Sequence, residues 1–161
     1  MVRSLIRTSA PGGFVSAYSG NLVLGGDQTG IGDELAVNAG SLALGSATGA
    51  CNLAKDLPIR LFAGATLKLP NANSTGGTLL HFDGSAGWFG KVEIPSGVTA
   101  KCKKAYWRDY PETPEWQSLP RGVYGSSESA AQFVRDDLFS GQGTLQIVAD
   151  DCIDATMLLI Y

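Results

Sequence analysis

The sequence predicts an all-β fold, a solenoid of short strands stacked coil upon coil. Three observations carry that expectation. Apolar residues recur two apart in short runs such as Ile59-Arg60-Leu61, Leu67-Lys68-Leu69 and Val92-Glu93-Ile94, the period of a strand. Glycine closes many of these runs, as at Gly25-Gly26, Gly40 and Gly45, because a tight turn needs a residue that tolerates positive φ. The run Gly20-Asn21-Leu22-Val23-Leu24-Gly25-Gly26 then returns as Gly40-Ser41-Leu42-Ala43-Leu44-Gly45-Ser46, at a shift of 20 residues. A period near that length is one coil of a β-solenoid. Many short strands with almost no helix must stack or close to bury anything, so an antiparallel β-sandwich or jelly roll is the alternative.

The elements follow in order. Residues 1–18 lack the repeat's rhythm and are broken by Pro11-Gly12-Gly13, leaving an irregular segment or an edge strand at Phe14–Tyr18. Residues 19–100 carry the repeats, with strands expected at Leu22–Leu24, Leu35–Val37, Leu42–Leu44, Ile59–Leu61, Leu67–Leu69, Leu79–Phe82 and Val92–Ile94. Residues 101–161 are different in kind: an aromatic and proline-rich excursion, then a short helix and closing strands. Ser126 or Ser127 is suited to cap a helix near 127–137, with Ala130, Ala131, Phe133 and Val134 as its apolar face. A strand is expected at Thr144–Val148, and the tail 155–161 is apolar enough to be a sticky edge if exposed.

Composition limits the function classes. The 161 residues suit one domain, and 44% hydrophobic residues are enough for a real core. Twenty-one glycines are nearly twice the usual share, which turns account for. A net charge of −3 with only a short basic edge, Lys101, Lys103, Lys104 and Arg108, argues against nucleic acid as a partner. No stretch reaches the length of a membrane span, and the start is too short in apolar residues for a signal peptide. Cys51, Cys102 and Cys152 form no metal-type pair. A Cys51–Cys102 bridge would be worth about 4 kcal/mol in the chain-entropy picture, and buried free thiols are the other reading.

The run from Gly20 to Gly30, followed by Leu35-Ala36-Val37-Asn38-Ala39-Gly40-Ser41-Leu42-Ala43-Leu44-Gly45-Ser46, resembles the autotransporter-associated β-strand repeat. Leu119-Pro120-Arg121-Gly122-Val123-Tyr124-Gly125 and Phe139-Ser140-Gly141-Gln142-Gly143-Thr144-Leu145 are similar to the closing coils of such proteins. The resemblance covers about a third of the chain directly. It implies a right-handed parallel β-helix, here a short one with a C-terminal cap, in a bacterial surface protein with a structural or adhesive role. It supplies no catalytic residues. The chain is shorter than typical members and carries no translocator barrel and no export signal, so the expectation is the C-terminal part of an exported, passenger-like protein. That places it outside the cell or on its surface.

The repeat's asparagines, Asn38 foremost and Asn21, Asn71 and Asn73 after it, are candidates for turn ladders. The best candidate site is the segment 107–116. Trp107, Tyr110 and Trp116 offer faces for sugar rings, and Asp109, Glu112 and Glu115 offer acceptors for sugar hydroxyls. That makes a carbohydrate-binding module the competing function, with glycans as partners. A carboxylate pair among those acids would make a polysaccharide-active β-helical enzyme, the last-ranked class. The same aromatics also read as a hydrophobic cap over the last coil. His81, the sole histidine, is expected to face outward, opposite Leu80 and Phe82, and no Gly-x-Ser-x-Gly elbow accompanies it. Asp136-Asp137 and Asp150-Asp151 fit no calcium motif and read as solvated acids. The expectation is thus a non-enzymatic chain without cofactor or metal, associating with itself or with neighbouring coils through open solenoid ends.

Overall fold

The computed structural model describes residues 6–9, 14–17 and 19–149, and it is all-β, with no helix among the described residues. The strands through the repeats are β1 (Ile6–Ser9), β2 (Phe14–Ala17), β3 (Asn21–Leu24), β4 (Gly26–Gln28), β5 (Glu34–Val37), β6 (Ser41–Leu44), β7 (Cys51–Leu53), β8 (Pro58–Phe62) and β9 (Thr66–Lys68). They continue as β10 (Leu79–Ser85), β11 (Lys91–Glu93), β12 (Thr99–Cys102), β13 (Lys104–Tyr110) and β14 (Thr113–Leu119). The last are β15 (Gly122–Gly125), β16 (Phe133–Val134), β17 (Phe139–Ser140) and β18 (Thr144–Ile147). The tail 155–161, Asp150-Asp151 and Cys152 lie outside the described residues.

Seven strands make the longest sheet, in the order β1-β2-β5-β8-β10-β13-β14. A second runs β17-β11-β9-β6-β3, a third β12-β18-β15-β16, and β4 pairs with β7. Eleven of the fourteen pairings are parallel; the antiparallel ones are β1–β2, β13–β14 and β15–β18. Parallel partners through the repeats stand 20 to 25 residues apart, as in Leu22–Leu42, Leu35–Ile59 and Leu67–Val92. The shift of 20 legible in the sequence is therefore the register of β3 against β6.

Because partners are in register, like positions stack. Leu35, Ile59, Leu80 and Ala105 form one buried column of the long sheet, and Val37, Leu61 and Phe82 form the next. In the second sheet the column is Leu42, Leu67, Val92 and Phe139, all buried. These inner faces share one hydrophobic core. Each fully buried leucine contributes about 2 kcal/mol by removal from water.

Turns repeat with the strands. Gly20 and Gly40 lie one above the other with φ of 73° and 71°, and the Ser41 N–H donates to the Gly20 carbonyl. A Cβ on Gly40 would strike that carbonyl oxygen, so the position requires glycine on two counts. Between β9 and β10 no strand forms, and a buried serine takes its place. The Ser74 hydroxyl donates to the Leu44 carbonyl (2.9 Å) and accepts from the Cys51 N–H (3.0 Å).

One expectation needs correction. The segment 127–137 is not helical. Ser126 Oγ accepts from the Glu128 N–H, Ser129 Oγ donates to the Ser126 carbonyl and accepts from the Ala131 N–H, and the chain then enters β16. Such local side-chain bonds offer the backbone an alternative to a helix. Within the excursion 101–120, β13 and β14 form an antiparallel hairpin with a register shift between Trp107 and Asp109, turning at the cis Tyr110–Pro111 bond. Cys51 and Cys102 are buried free thiols, and burial pushes Cys102 up to about 12. Asp136 accepts from the Ser127 N–H and Asp137 pairs with Arg135, so both acids have structural partners.

Candidate functional site

Alternation decides which side chains leave the core. On β8, β10 and β13 the inward residues are Ile59 and Leu61, Leu80 and Phe82, and Ala105. Arg60, His81 and Tyr106 stand in register on the opposite face, and Asp83 beside Arg108 follows two residues on. The hairpin strand β14 then lays Trp116 over this face.

Asp83 is the centre of the arrangement. Its side chain is only 8% exposed. The Arg60 Nε and Nη2 both donate to Oδ2, at 2.9 and 2.6 Å. The Arg108 Nε donates to Oδ1 at 2.8 Å and its Nη2 to Oδ2 at 2.9 Å. Burial alone would raise the carboxyl's pKa, but the hydrogen bonds from Arg108 and Arg60 outweigh it and hold it below the usual value. Each guanidinium spends two of its five N–H donors on Asp83. The Arg60 and Arg108 side chains remain 32% and 27% exposed.

Aromatic rings frame the guanidiniums. Arg108 lies over the Trp116 ring at 4.4 Å, and Arg60 over Phe62 at 4.8 Å. His81 stacks on Tyr106 with centroids 4.9 Å apart and meets Trp116 edge-on at 5.0 Å. His81 thus faces out of the sheet as alternation predicts, yet the two rings half-bury it. Its Nδ1 is buried without a hydrogen-bond partner. Burial, aided by the positive charges of Arg60 and Arg108, lowers its pKa, so the ring is held neutral. Glu34, Pro58, Arg60, His81, Arg108 and Trp116 together line an open pocket of about 320 Å³.

The six residues singled out from the sequence do not assemble into one patch. Trp107 belongs to the inner side, packed on the core beside Phe89 (6.2 Å) and Arg135 (5.5 Å). Trp116 lies on the outer side with His81 and Arg108. Tyr110 is exposed at the hairpin end, and Asp109 holds the turn after β10 by accepting the Gly87 N–H through both oxygens. Glu112 and Glu115 are exposed on the hairpin, with Glu115 close enough to add to the charge stabilisation of Arg108. Only Trp116 of the six lines the pocket. The residues missed were Arg60, His81, Asp83 and Arg108 as a group. The signal for them was the outward position of each in runs that align at 21 to 25 residues.

Among the described residues no group of three or more His, Cys, Asp or Glu side chains is placed to hold a metal ion, and no helix is long and apolar enough to cross a membrane. No family model, curated protein or solved structure matches this chain.

Proposed function

We propose that this chain winds as a short right-handed parallel β-helix, and that its role is structural or adhesive and non-enzymatic, as a segment of a bacterial cell-surface protein. The observation that carries this reading is the repeated in-register parallel pairing at offsets of 20 to 25 residues in two separate sheets. A chain that visits one sheet, then another, and returns one strand further along the first describes a coil. Parallel crossover connections are almost always right-handed, which supports the hand. An antiparallel sandwich would pair sequence neighbours, whereas among the described residues antiparallel strand pairs occur only at β1–β2, β13–β14 and β15–β18.

Association follows from how such a stack ends. Among the described residues β3 is the terminal strand of its sheet. Its inward residues Leu22 and Leu24 are only partly buried, whereas their partners Leu42 and Leu44 are fully buried. Another coil, from the same or a neighbouring chain, would complete both the hydrogen-bond ladder and the column. Sedimentation of the purified chain over a wide concentration range tests this. Growth into oligomers with concentration is expected, and a monomer at every concentration overturns association through an open end.

A further inference from the structure

We propose that the pocket lined by Arg60, Arg108, His81, Trp116, Pro58 and Glu34 binds a single acidic sugar unit, a uronic acid residue of a polysaccharide. The inference gives the adhesive half of the proposed function a ligand and rests on that reading for its setting, while the binding itself is argued from the pocket.

The two guanidiniums are the first ground. Asp83 fixes both by paired hydrogen bonds and neutralises one of the two charges. The group of Arg60, Asp83 and Arg108 therefore carries a single positive charge on two preorganised, partly exposed planar groups, with Glu34 in the lining and Glu115 near Arg108 set against it. A planar, pre-oriented guanidinium suits a carboxylate better than a mobile lysine does. Its N–H donors not committed to Asp83 supply the hydrogen bonds.

The rest of the lining suits a sugar rather than a bare anion. Trp116 and Pro58 offer apolar surface to the C–H face of a ring, and Trp116 is already steered by Arg108 on it and His81 at its edge. Glu34 is an acceptor for ring hydroxyls, donors that a sugar carries and a simple anion such as sulfate lacks. The volume, about 320 Å³, is at the small end of ligand pockets, matching one ring rather than several.

The test is calorimetric titration of the full chain with trigalacturonate, with maltotriose and inorganic sulfate as comparisons. Saturable binding of trigalacturonate is expected, weakened by added salt, with maltotriose and sulfate each binding at least roughly tenfold more weakly. Trp116→Ala and Arg60→Gln should each weaken trigalacturonate roughly tenfold or more. Glu112→Gln, at the hairpin end, should leave it unchanged. Circular dichroism establishes that each variant is folded; if Arg60→Gln is not, Trp116→Ala decides. No saturable binding up to about 10 mM, equal affinity for maltotriose, equal affinity for sulfate, or a folded Trp116→Ala that binds normally each overturns the proposal. Sedimentation reads association independently, so failure of the sugar site and failure of end-to-end stacking are separate results.

Discussion

Asp83 shows how much one outward position in this fold can carry. A carboxylate in a nearly closed site is tolerated only because two guanidiniums meet it with four hydrogen bonds. Asp83→Asn keeps the shape and removes the charge, leaving two cations facing each other. A fully buried pair broken this way costs about 3–5 kcal/mol; with the arginines a quarter to a third exposed, about 2–3 is expected here, read from urea unfolding at neutral pH. The same site sets an acid limit. The folded pKa of Asp83 is lowered, so its contribution is complete above the unfolded value of about 4 and is lost as pH falls below that toward the folded value. His81 acts earlier and in the same direction: its lowered folded pKa means that the unfolded chain takes up a proton below about 6.5 while the folded chain resists it. Unfolding midpoints measured from about pH 7 to pH 2 should therefore fall in two stages, and Asp83→Asn should flatten the lower one. An unchanged acid profile in that variant would assign the loss to other carboxylates such as Asp56 and Asp137, whose pKa values are also lowered.

At the scale of elements, the strands were legible wherever alternation and glycine agreed. Leu22–Leu24, Leu35–Val37, Leu42–Leu44, Ile59–Leu61 and Leu79–Phe82 all fall in strands, because each presents an apolar column to one shared core. The segment 127–137 misled because Ala130, Ala131, Phe133 and Val134 have helical spacing, while the serines that looked like caps fold the backbone into turns of their own. The hairpin β13–β14 was hidden by its two prolines, Pro111 and Pro114, and its mixed charge, features that a terminal strand tolerates and a central one does not. The pocket was hidden for another reason. Arg60, Asp83 and Arg108 are more than twenty residues apart, and only the register brings them together. Ser74 is a device of the same kind, a side chain that replaces a missing strand. Ser74→Ala would leave the buried Cys51 N–H and the Leu44 carbonyl without that partner. A loss of about 1–3 kcal/mol is expected in urea unfolding, against a few tenths for Ser127→Ala on the exposed turn. Equal effects at the two sites would mean that Ser74 does not bridge β6 and β7.

For the whole molecule, the two larger sheets end differently. The long sheet finishes at both termini in an antiparallel pair, β1–β2 and β13–β14, the latter a charged hairpin that includes Arg108, Asp109, Glu112 and Glu115. Such a terminus resists further pairing. Among the described residues the second sheet ends at β3, which leaves Val23 64% exposed and Leu22 and Leu24 half-covered. The contrast predicts association through β3 rather than through either end of the long sheet. A charge pointing inward from an edge strand is an effective block to such pairing. Leu24→Lys places an ammonium where a stacked coil would bury it, while in the isolated chain the lysine stem can reach solvent because that position is only partly covered. Sedimentation of Leu24→Lys should therefore show a monomer at concentrations where the unaltered chain associates, with its thermal transition lowered only slightly. If the variant associates as before, the contact lies away from β3, and the half-covered leucines are simply the surface at which this core ends.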